Sequence, residues 1–160
     1  MPSKLALEIA TAFEKAEWKH SPATDFDTLG TSMFLHGRML GGSIRVYNGT
    51  IIRFLAFNSI EVPEGRESAV AELLSKINPQ LLLGTVEVDE MLGVVCRASL
   101  DVAGLLQDSG AVSDPKAFHQ VIIDLATAAT AVLDQYAPVV EAVCEGASAS
   151  DALAGAQPVG

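Results

Sequence analysis

The order of hydrophobic and polar residues changes its period along this chain, and the changes divide it into elements. In residues 4–18 the apolar positions lie three or four apart, which is the spacing of one stripe on a helix. They are Leu5, Ile9, Ala12, Phe13 and Ala16. Ser3 precedes this segment and can accept a hydrogen bond from its first turn, so we predict a first helix with Ser3 as the N-cap.

The following segment is β-rich and is interrupted by glycine instead of showing a helical period. Residues 28–36, 43–47 and 50–57 predict three strands. The dipeptide Asn48-Gly49 lies between the last two, and both residue types tolerate the positive φ of a type I′ turn. We therefore expect antiparallel strands with a tight hairpin at Asn48-Gly49.

A second helix is expected to open at Val62-Pro63-Glu64, because proline is favoured in the first turn of a helix. Its apolar stripe consists of Val70, Leu73, Leu74 and Ile77. Asn78-Pro79 should end the helix, because a residue before proline avoids helical backbone. Residues 81–88 and 92–100 then predict two further strands, joined by a short turn.

The longest apolar pattern begins after Ser113. Asp114 is the expected N-cap and Pro115 the first helical residue. The pattern continues to residue 145, and Pro138 should bend or break this helix because it removes a backbone hydrogen bond. Residues 147–160 are rich in alanine, glycine and serine, so we expect a flexible tail after a single domain of residues 1–146.

The predicted order of elements is α-β-β-β-α-β-β-α. Parallel β-α-β units need a helix between successive strands, and most strands here follow one another directly. We therefore predict an α+β fold with an antiparallel sheet. The 160 residues suffice to bury one core without disulfides or metal. The expected core includes Phe13, Val46, Phe54, Leu55, Leu73, Val86, Val94 and Leu125.

The chain is strongly acidic, with ten basic and twenty acidic residues and a net charge of −10. Such a surface repels nucleic acid and anionic membranes, so neither is an expected partner. The apolar stretch 125–133, closed by aspartates, is far shorter than the roughly 20 residues of a membrane span. Cys96 and Cys144 form no metal-binding motif and no signal peptide is visible, so we expect a cytoplasmic protein with reduced thiols.

Residue patterns that carry catalysis or bind cofactors are missing from the sequence. It has no nucleophile elbow, zinc-protease motif, phosphate loop or dinucleotide fingerprint. The three histidines fall on three different predicted elements, and both cysteines fit buried thiols. We therefore expect no enzyme activity, catalytic residue, cofactor or metal. Arg45, Arg53 and Arg97 lie in predicted strands and are candidates to hold an anion in a pocket between sheet and helices.

Charge is distributed unevenly between the predicted sheet and the last helix. After Lys116 the chain has no basic residue, and its acidic residues there are Asp124, Asp134, Glu141, Glu145 and Asp151. Arginines, in contrast, concentrate in or beside the strands. The two sets can meet inside one protomer or across a dimer, the acidic helix can face a basic partner, or it can be a solvated face that confers solubility.

The last helix carries apolar residues around more than half of its circumference. Steps of three and four residues from Phe118 to Val143 form one stripe, which we expect to face the sheet. The apolar residues beside that stripe are Val121, Ile123, Ala128, Leu133 and Val140. Left in water they would form a contiguous apolar patch, which usually marks an interaction surface. We therefore expect Val121, Ala128, Leu133 and Val140 to form a homodimer interface or to bind a polypeptide.

Several short strings follow one another at spacings that are familiar from one protein family. They are Leu29-Gly30-Thr31, Gly41-Gly42-Ser43-Ile44, Arg53-Phe54-Leu55-Ala56-Phe57, Val62-Pro63-Glu64, Ile77-Asn78-Pro79-Gln80-Leu81-Leu82-Leu83-Gly84 and Arg97-Ala98-Ser99-Leu100. Together they resemble the YbjN family over residues 11–146. Ser43 departs from the family, which often has an aromatic residue there, so the packing at this position should differ.

The YbjN family comprises proposed bacterial sensory transduction regulators whose fold is similar to that of type III secretion chaperones. The resemblance implies a twisted antiparallel sheet with helices on one side, frequent dimerisation and no catalytic residues. We therefore expect a non-enzymatic, chaperone-like or regulatory module that binds a polypeptide. Two alternatives stay open, a dedicated type III secretion chaperone and a small-molecule or anion-binding protein.

Overall fold

Five antiparallel strands form one sheet in the computed structural model, which describes residues 1–156. The strands are β1 (Thr28–Leu35), β2 (Arg38–Tyr47), β3 (Ile51–Phe57), β4 (Thr85–Asp89) and β5 (Gly93–Asp101). The helices are α1 (Lys4–Lys15), α2 (Glu67–Ile77), α3 (Pro115–Cys144) and α4 (Ala149–Gly155). The strand order across the sheet is β1-β2-β3-β5-β4, so β1 and β4 are its edges. The predicted α+β class with an antiparallel sheet is confirmed.

Local sequence signals set the turns and helix starts where they were predicted. Asn48 and Gly49 have φ angles of 51° and 76°, the combination that a type I′ turn needs. The side chains of Ser3 and Asp114 each accept a hydrogen bond from a backbone N–H in the first turn of their helix. The hairpin between β2 and β3 and both N-caps are therefore confirmed.

Helix α2 begins later than the sequence predicted. Gly65 has a φ of 84°, which interrupts helical backbone, and the N–H of Arg66 donates to the carbonyl of Pro63 at 3.0 Å. Pro63 therefore opens a turn and not the helix, which begins at Glu67.

Helix α3 continues through Pro138 for 30 residues, so the predicted break is absent. Pro138 itself is exposed, whereas Ala137, Val139 and Val140 beside it are buried. Burial of these neighbours stabilises the helix at Pro138, which has no N–H and therefore leaves one backbone hydrogen bond unformed.

By length and composition α3 could cross a membrane. Twelve of its residues are buried within the fold, where the helix packs on β3 and β5 and against the other helices. The apolar composition of α3 therefore corresponds to its position in the hydrophobic core.

The helices cover one face of the sheet and leave the other face uncovered. Successive side chains of a strand point to opposite faces. In β3 the residues Ile52, Phe54 and Ala56 are fully buried, and the residues between them are half-buried. Leu55, expected in the core, therefore lies on the uncovered face, because it cannot share a face with its neighbour Phe54.

Two adjacent glycines in β2 allow aromatic rings to pack on both faces of the sheet. A Cβ atom on Gly41 would lie 2.2 Å from the Phe57 ring, and one on Gly42 would lie 2.6 Å from the Phe54 ring. Any larger residue would displace one of these rings, so the glycines are required by packing.

The end of the chain differs from the predicted flexible tail. Residues 149–155 form α4, and the Ser148 hydroxyl caps it by accepting from the N–H of Asp151. Ala149 is 2% exposed, and α4 contacts α2 and α3. The small side chains that suggested a linker instead let this short helix lie close to its neighbours. Residues 157–160 of the predicted tail lie outside the described residues.

Candidate functional site

The interface predicted on α3 is largely occupied by the fold itself. Leu133 and Val140 are each 1% exposed, and Val121 and Ala128 are half-buried. Helix α3 packs against α1, α2 and α4 as well as the sheet, so it buries a wider face than one stripe. Leu133 and Val140 are therefore core residues, and the prediction that they contact a partner is wrong.

Part of the charge on α3 is neutralised within the protomer. The guanidinium of Arg38, at the start of β2, donates to both carboxylate oxygens of Glu141 at 2.6 and 2.7 Å. This paired hydrogen bond raises the pKa of Arg38 and holds the pKa of Glu141 below its usual value. His36, at the tip of the same hairpin, lies 2.6 Å from Asp134. Both pairs join the β1–β2 hairpin to α3.

The three candidate anion-binding arginines lie together on the uncovered face of the sheet. Arg45 in β2 is directly opposite Arg53 in β3, and Arg53 is opposite Ser99, two residues after Arg97 in β5. Residues opposite each other in an antiparallel pair share a face, which here is the face away from the helices. The predicted pocket between sheet and helices is therefore the wrong location for these side chains.

The basic residues on this face differ in their partners. Arg97 forms an ion pair with Glu87 in the neighbouring strand β4. Arg45 and Arg53 form no ion pair within residues 1–156, and their guanidinium carbons lie 4.9 and 4.7 Å from the centre of the Tyr47 ring. Arg45 and Arg53 are thus held by cation–π contacts alone.

The histidines are dispersed, each beside a single carboxylate. His20 lies 3.7 Å from Glu14, and His119 lies 2.5 Å from Glu8. No three histidine, cysteine or acidic side chains in the described part of the chain are grouped so that they could hold a metal ion.

The two cysteines are free thiols with poor nucleophilic character. Burial raises the pKa of the Cys96 thiol to about 11, and burial also raises the pKa of Cys144. A thiol with a raised pKa carries little thiolate at neutral pH, and the thiolate is the reactive form. Cys96 is therefore the buried thiol that the sequence predicts, whereas Cys144 is only partly buried.

The edge strand β4 offers unused backbone hydrogen-bonding groups. The Asn78 side chain donates to the carbonyl of Val86 at 2.9 Å and accepts from its N–H at 2.8 Å, so the backbone groups of Val86 point away from β5. Val88 follows two residues later, and its groups point the same way. The N–H of Val88 donates to no acceptor among the other described residues.

The first part of the opposite edge is covered. His20 forms a bridge with Thr31 of β1, and the N–H of Ser21 donates to the carbonyl of Gly30 at 2.9 Å. The segment before β1 thus occupies that edge as far as Thr31, whereas the free position of β4 is at Val88.

A groove of about 490 Å³ runs between the free edge of β4 and helix α2. Its apolar lining is Val62, Val70, Ala71, Leu74, Val86 and Val88. Glu67 supplies negative charge, Glu87 is paired with Arg97, and Ser75, Asn78 and Thr85 complete the lining. The groove combines an apolar floor with acidic sides, beside a strand that can accept another strand.

Exposed apolar side chains are concentrated around β4. In the described residues the large exposed ones are Met1, Leu7, Phe26, Phe34, Met39, Leu82, Leu83, Val88 and Met91. Four of these nine lie between residues 82 and 91, and α3 carries none. The candidate site is therefore the β4 edge and its groove, which sequence reasoning missed.

The apolar residues of this site are visible in the sequence, but there they fit a buried strand. The run Leu81-Leu82-Leu83 and the alternation of Val86 and Val88 together predict one continuous strand over residues 81–88. A strand covered on both sides would bury that run, but Leu82 is fully exposed and β4 begins only at Thr85. Sequence alone does not say which strand is an edge.

An antiparallel sheet with helices on one face defines an α+β fold of the open-faced type. Among solved structures, this chain is similar to YbjN from E. coli, which is described as a proposed transcription regulator. The TM-score is 0.56 with 13% sequence identity, and the alignment covers 82% of this chain and 89% of that one. No protein-family model and no curated protein matches the sequence. The likeness shows a shared fold.

Proposed function

We propose that this protein is a non-enzymatic interaction module that binds an extended polypeptide along β4. The observation that carries the proposal is the free backbone position at Val88 beside the apolar groove under α2. An added strand gains main-chain hydrogen bonds from such an edge, and its alternate side chains enter the groove. Cytoplasmic location belongs to the same proposal and is supported by two free thiols.

The chemistry of the groove specifies the segment that it binds. The floor favours small or β-branched apolar side chains on alternate residues. Glu67 lines the groove, and Glu61 and Glu64 lie in the segment that leads into α2, none of them in an ion pair within the described residues. These carboxylates favour a segment that also carries basic residues, through charge attraction to this side of the protein. The partner segment is therefore extended, alternately apolar and basic.

The test uses synthetic peptides of about ten residues, long enough to form one strand. We expect a peptide of alternating valine and lysine to bind the full chain, and a valine–glutamate peptide of the same length to bind at least about tenfold more weakly because of charge repulsion. Calorimetry measures both affinities. N-methylation of alternate peptide bonds removes donors without altering the protein, and it should abolish binding if the segment adds as a strand.

Protein variants locate the binding surface. Val88→Lys places a positive charge at the exposed edge and should weaken binding of the valine–lysine peptide by about tenfold. Phe34→Lys, at another exposed apolar position (66% exposed against 49% for Val88) on the β1–β2 hairpin, is the control and should leave affinity unchanged. Equal binding of methylated and unmethylated peptides would contradict the proposal. A concentration-dependent dimer that Val88→Lys abolishes would assign the edge to a second copy of this chain, the expected homodimer, instead.

A further inference from the structure

Arg45 and Arg53 stand in direct opposition on the uncovered sheet face, at adjacent positions of β2 and β3. Like charges directly opposite each other destabilise a strand pair. In this acidic chain, ten basic residues stand against twenty acidic ones, yet neither guanidinium has a carboxylate partner within residues 1–156. The pair therefore represents concentrated, uncompensated positive charge.

The other three arginines all have polar partners. Arg38 binds Glu141 and Arg97 binds Glu87. Arg66 donates to the carbonyls of Val143 and Ala147 at 2.7 and 2.6 Å. Only Arg45 and Arg53, among the arginines of the chain, keep their outer donors free in the described structure.

The acidic side chain nearest along the sheet is already engaged. Asp101 follows Ser99 by two residues on the same face of β5, diagonal to Arg53. Its carboxylate accepts the backbone N–H of Ala103 at 2.9 Å. It does not form an ion pair with either arginine.

Arg53 also has an unsatisfied buried donor. Its Nε atom is buried and has no hydrogen-bond partner, whereas buried polar groups in folded proteins are usually paired. Tyr47 supports both guanidinium groups, at 4.9 and 4.7 Å from its ring centre. Both guanidinium groups thus contact the same ring, and Arg45 and Arg53 are opposite each other on one face of the sheet.

We propose that Arg45 and Arg53 form a binding site for a phosphate-type oxyanion, with Tyr47 as the supporting platform. Two guanidinium groups carry two positive charges, which match a phosphate dianion, whereas a carboxylate is neutralised by one of them. Guanidinium forks pair with phosphate oxygens through parallel, charge-assisted hydrogen bonds. The net negative charge of the chain does not prevent this, because distant charges are screened within roughly 8 Å at physiological salt.

The test follows the arginine Nε–H signals of ¹⁵N-labelled full-length protein by NMR. Inorganic phosphate and phenyl phosphate are titrated at neutral pH, with sodium chloride keeping the ionic strength constant. We expect saturable shifts of the Arg45 and Arg53 signals with both ligands and no saturable shift of Arg97. If phenyl phosphate binds much more tightly than inorganic phosphate, the site takes phosphomonoesters; the reverse order assigns it to the free ion, and equal affinities show that it recognises the phosphate group alone.

Variants separate specific binding from general charge effects. Arg45→Gln and Arg53→Gln should each weaken phosphate by about tenfold, and the double variant should lose saturable binding. Arg97→Gln removes a charge from the same face but should change affinity less than about twofold, because Glu87 already engages it. Amide spectra verify that each variant is folded.

Three results would overturn this assignment. Saturable binding that persists in the double variant would place the ion elsewhere, and shifts that never saturate would show general ionic effects only. Acetate binding as tightly as phosphate would exclude a preference for a dianion. None of these outcomes bears on the peptide groove, because β4 and α2 carry neither arginine.

Discussion

Individual side chains contribute to this fold mainly through burial and through long-range polar contacts. Arg66 illustrates the second kind, because it directly precedes α2 and its guanidinium donates to the carbonyls of Val143, in α3, and of Ala147, just after α3. Leu73 illustrates the first kind, because it is fully buried on the face of α2 that packs into the core. Such residues fix how α2 lies against the rest of the molecule.

Truncation of Leu73 to alanine should destabilise the protein by about 2–5 kcal/mol, since the change removes buried methyl groups and leaves a cavity. Urea denaturation measures the free energy of unfolding. Leu7→Ala is the matched control, because Leu7 is 51% exposed on α1 and its loss should cost far less. A change below about 0.5 kcal/mol for Leu73→Ala would mean that α2 does not pack as described.

Among the secondary-structure elements, strand β4 and the β1–β2 hairpin are each held by side-chain contacts in addition to the backbone hydrogen bonds between strands. The five-residue strand β4 is held at its outer side by the amide of Asn78, which satisfies both backbone groups of Val86. The β1–β2 hairpin is held on α3 by Arg38 and Glu141. These contacts join segments that are far apart in the chain.

The Arg38–Glu141 contact predicts a pH-dependent contribution to stability. The pKa of Glu141 is lowered in the folded protein, so its contribution is present above the unfolded pKa and is lost as pH falls through the folded value. Glu141→Gln should destabilise by roughly 0.2–1 kcal/mol at neutral pH, a modest effect because both side chains are about one-third exposed.

Urea denaturation of wild type and Glu141→Gln across the acid range measures this difference. It should disappear once the carboxylate of the wild type is protonated, well below the ordinary pKa of 4.5. Glu90→Gln, at an exposed turn position outside the ion pairs described, serves as the control. A difference that stays constant with pH would exclude an electrostatic origin.

At the scale of the whole molecule, one hydrophobic core extends from Leu5 in α1 to Ala149 in α4. The C-terminal segment belongs to this core, because Ala149 is buried and the carbonyl of Ala147 accepts a hydrogen bond from Arg66. The segment beyond residue 146 therefore stabilises α2 and α3 in addition to following them.

Deletion of residues 147–160 should lower the free energy of unfolding by roughly 1–3 kcal/mol, since it removes one charge-assisted hydrogen bond and exposes the surfaces under α4. Thermal and urea denaturation measure the loss. Deletion of residues 157–160 alone is the control and should have little effect. If both deletions left stability unchanged, the packing of α4 would contribute nothing to the fold.

Features that depend on residues close together in the chain were predictable from the sequence. β-rich segments predicted the strands, helical patterns predicted the three longer helices, and Asn48-Gly49, Ser3 and Asp114 placed a turn and two caps. These signals depend on residues a few positions apart, so they do not depend on how the elements pack against one another. The sequence also contains no recognised catalytic motif.

Which surfaces of the helices and strands remain exposed depends on how these elements pack together. Leu133 and Val140 could not be assigned to core or interface from the helix alone, because α1, α2 and α4 also cover α3. Arg38 pairs with Glu141, which lies 103 residues later in the chain. Arg45 and Arg53 are opposite each other in the sheet and pair with no carboxylate in the described structure. Burial and charge pairing are properties of elements distant in sequence, and so is the edge position of β4.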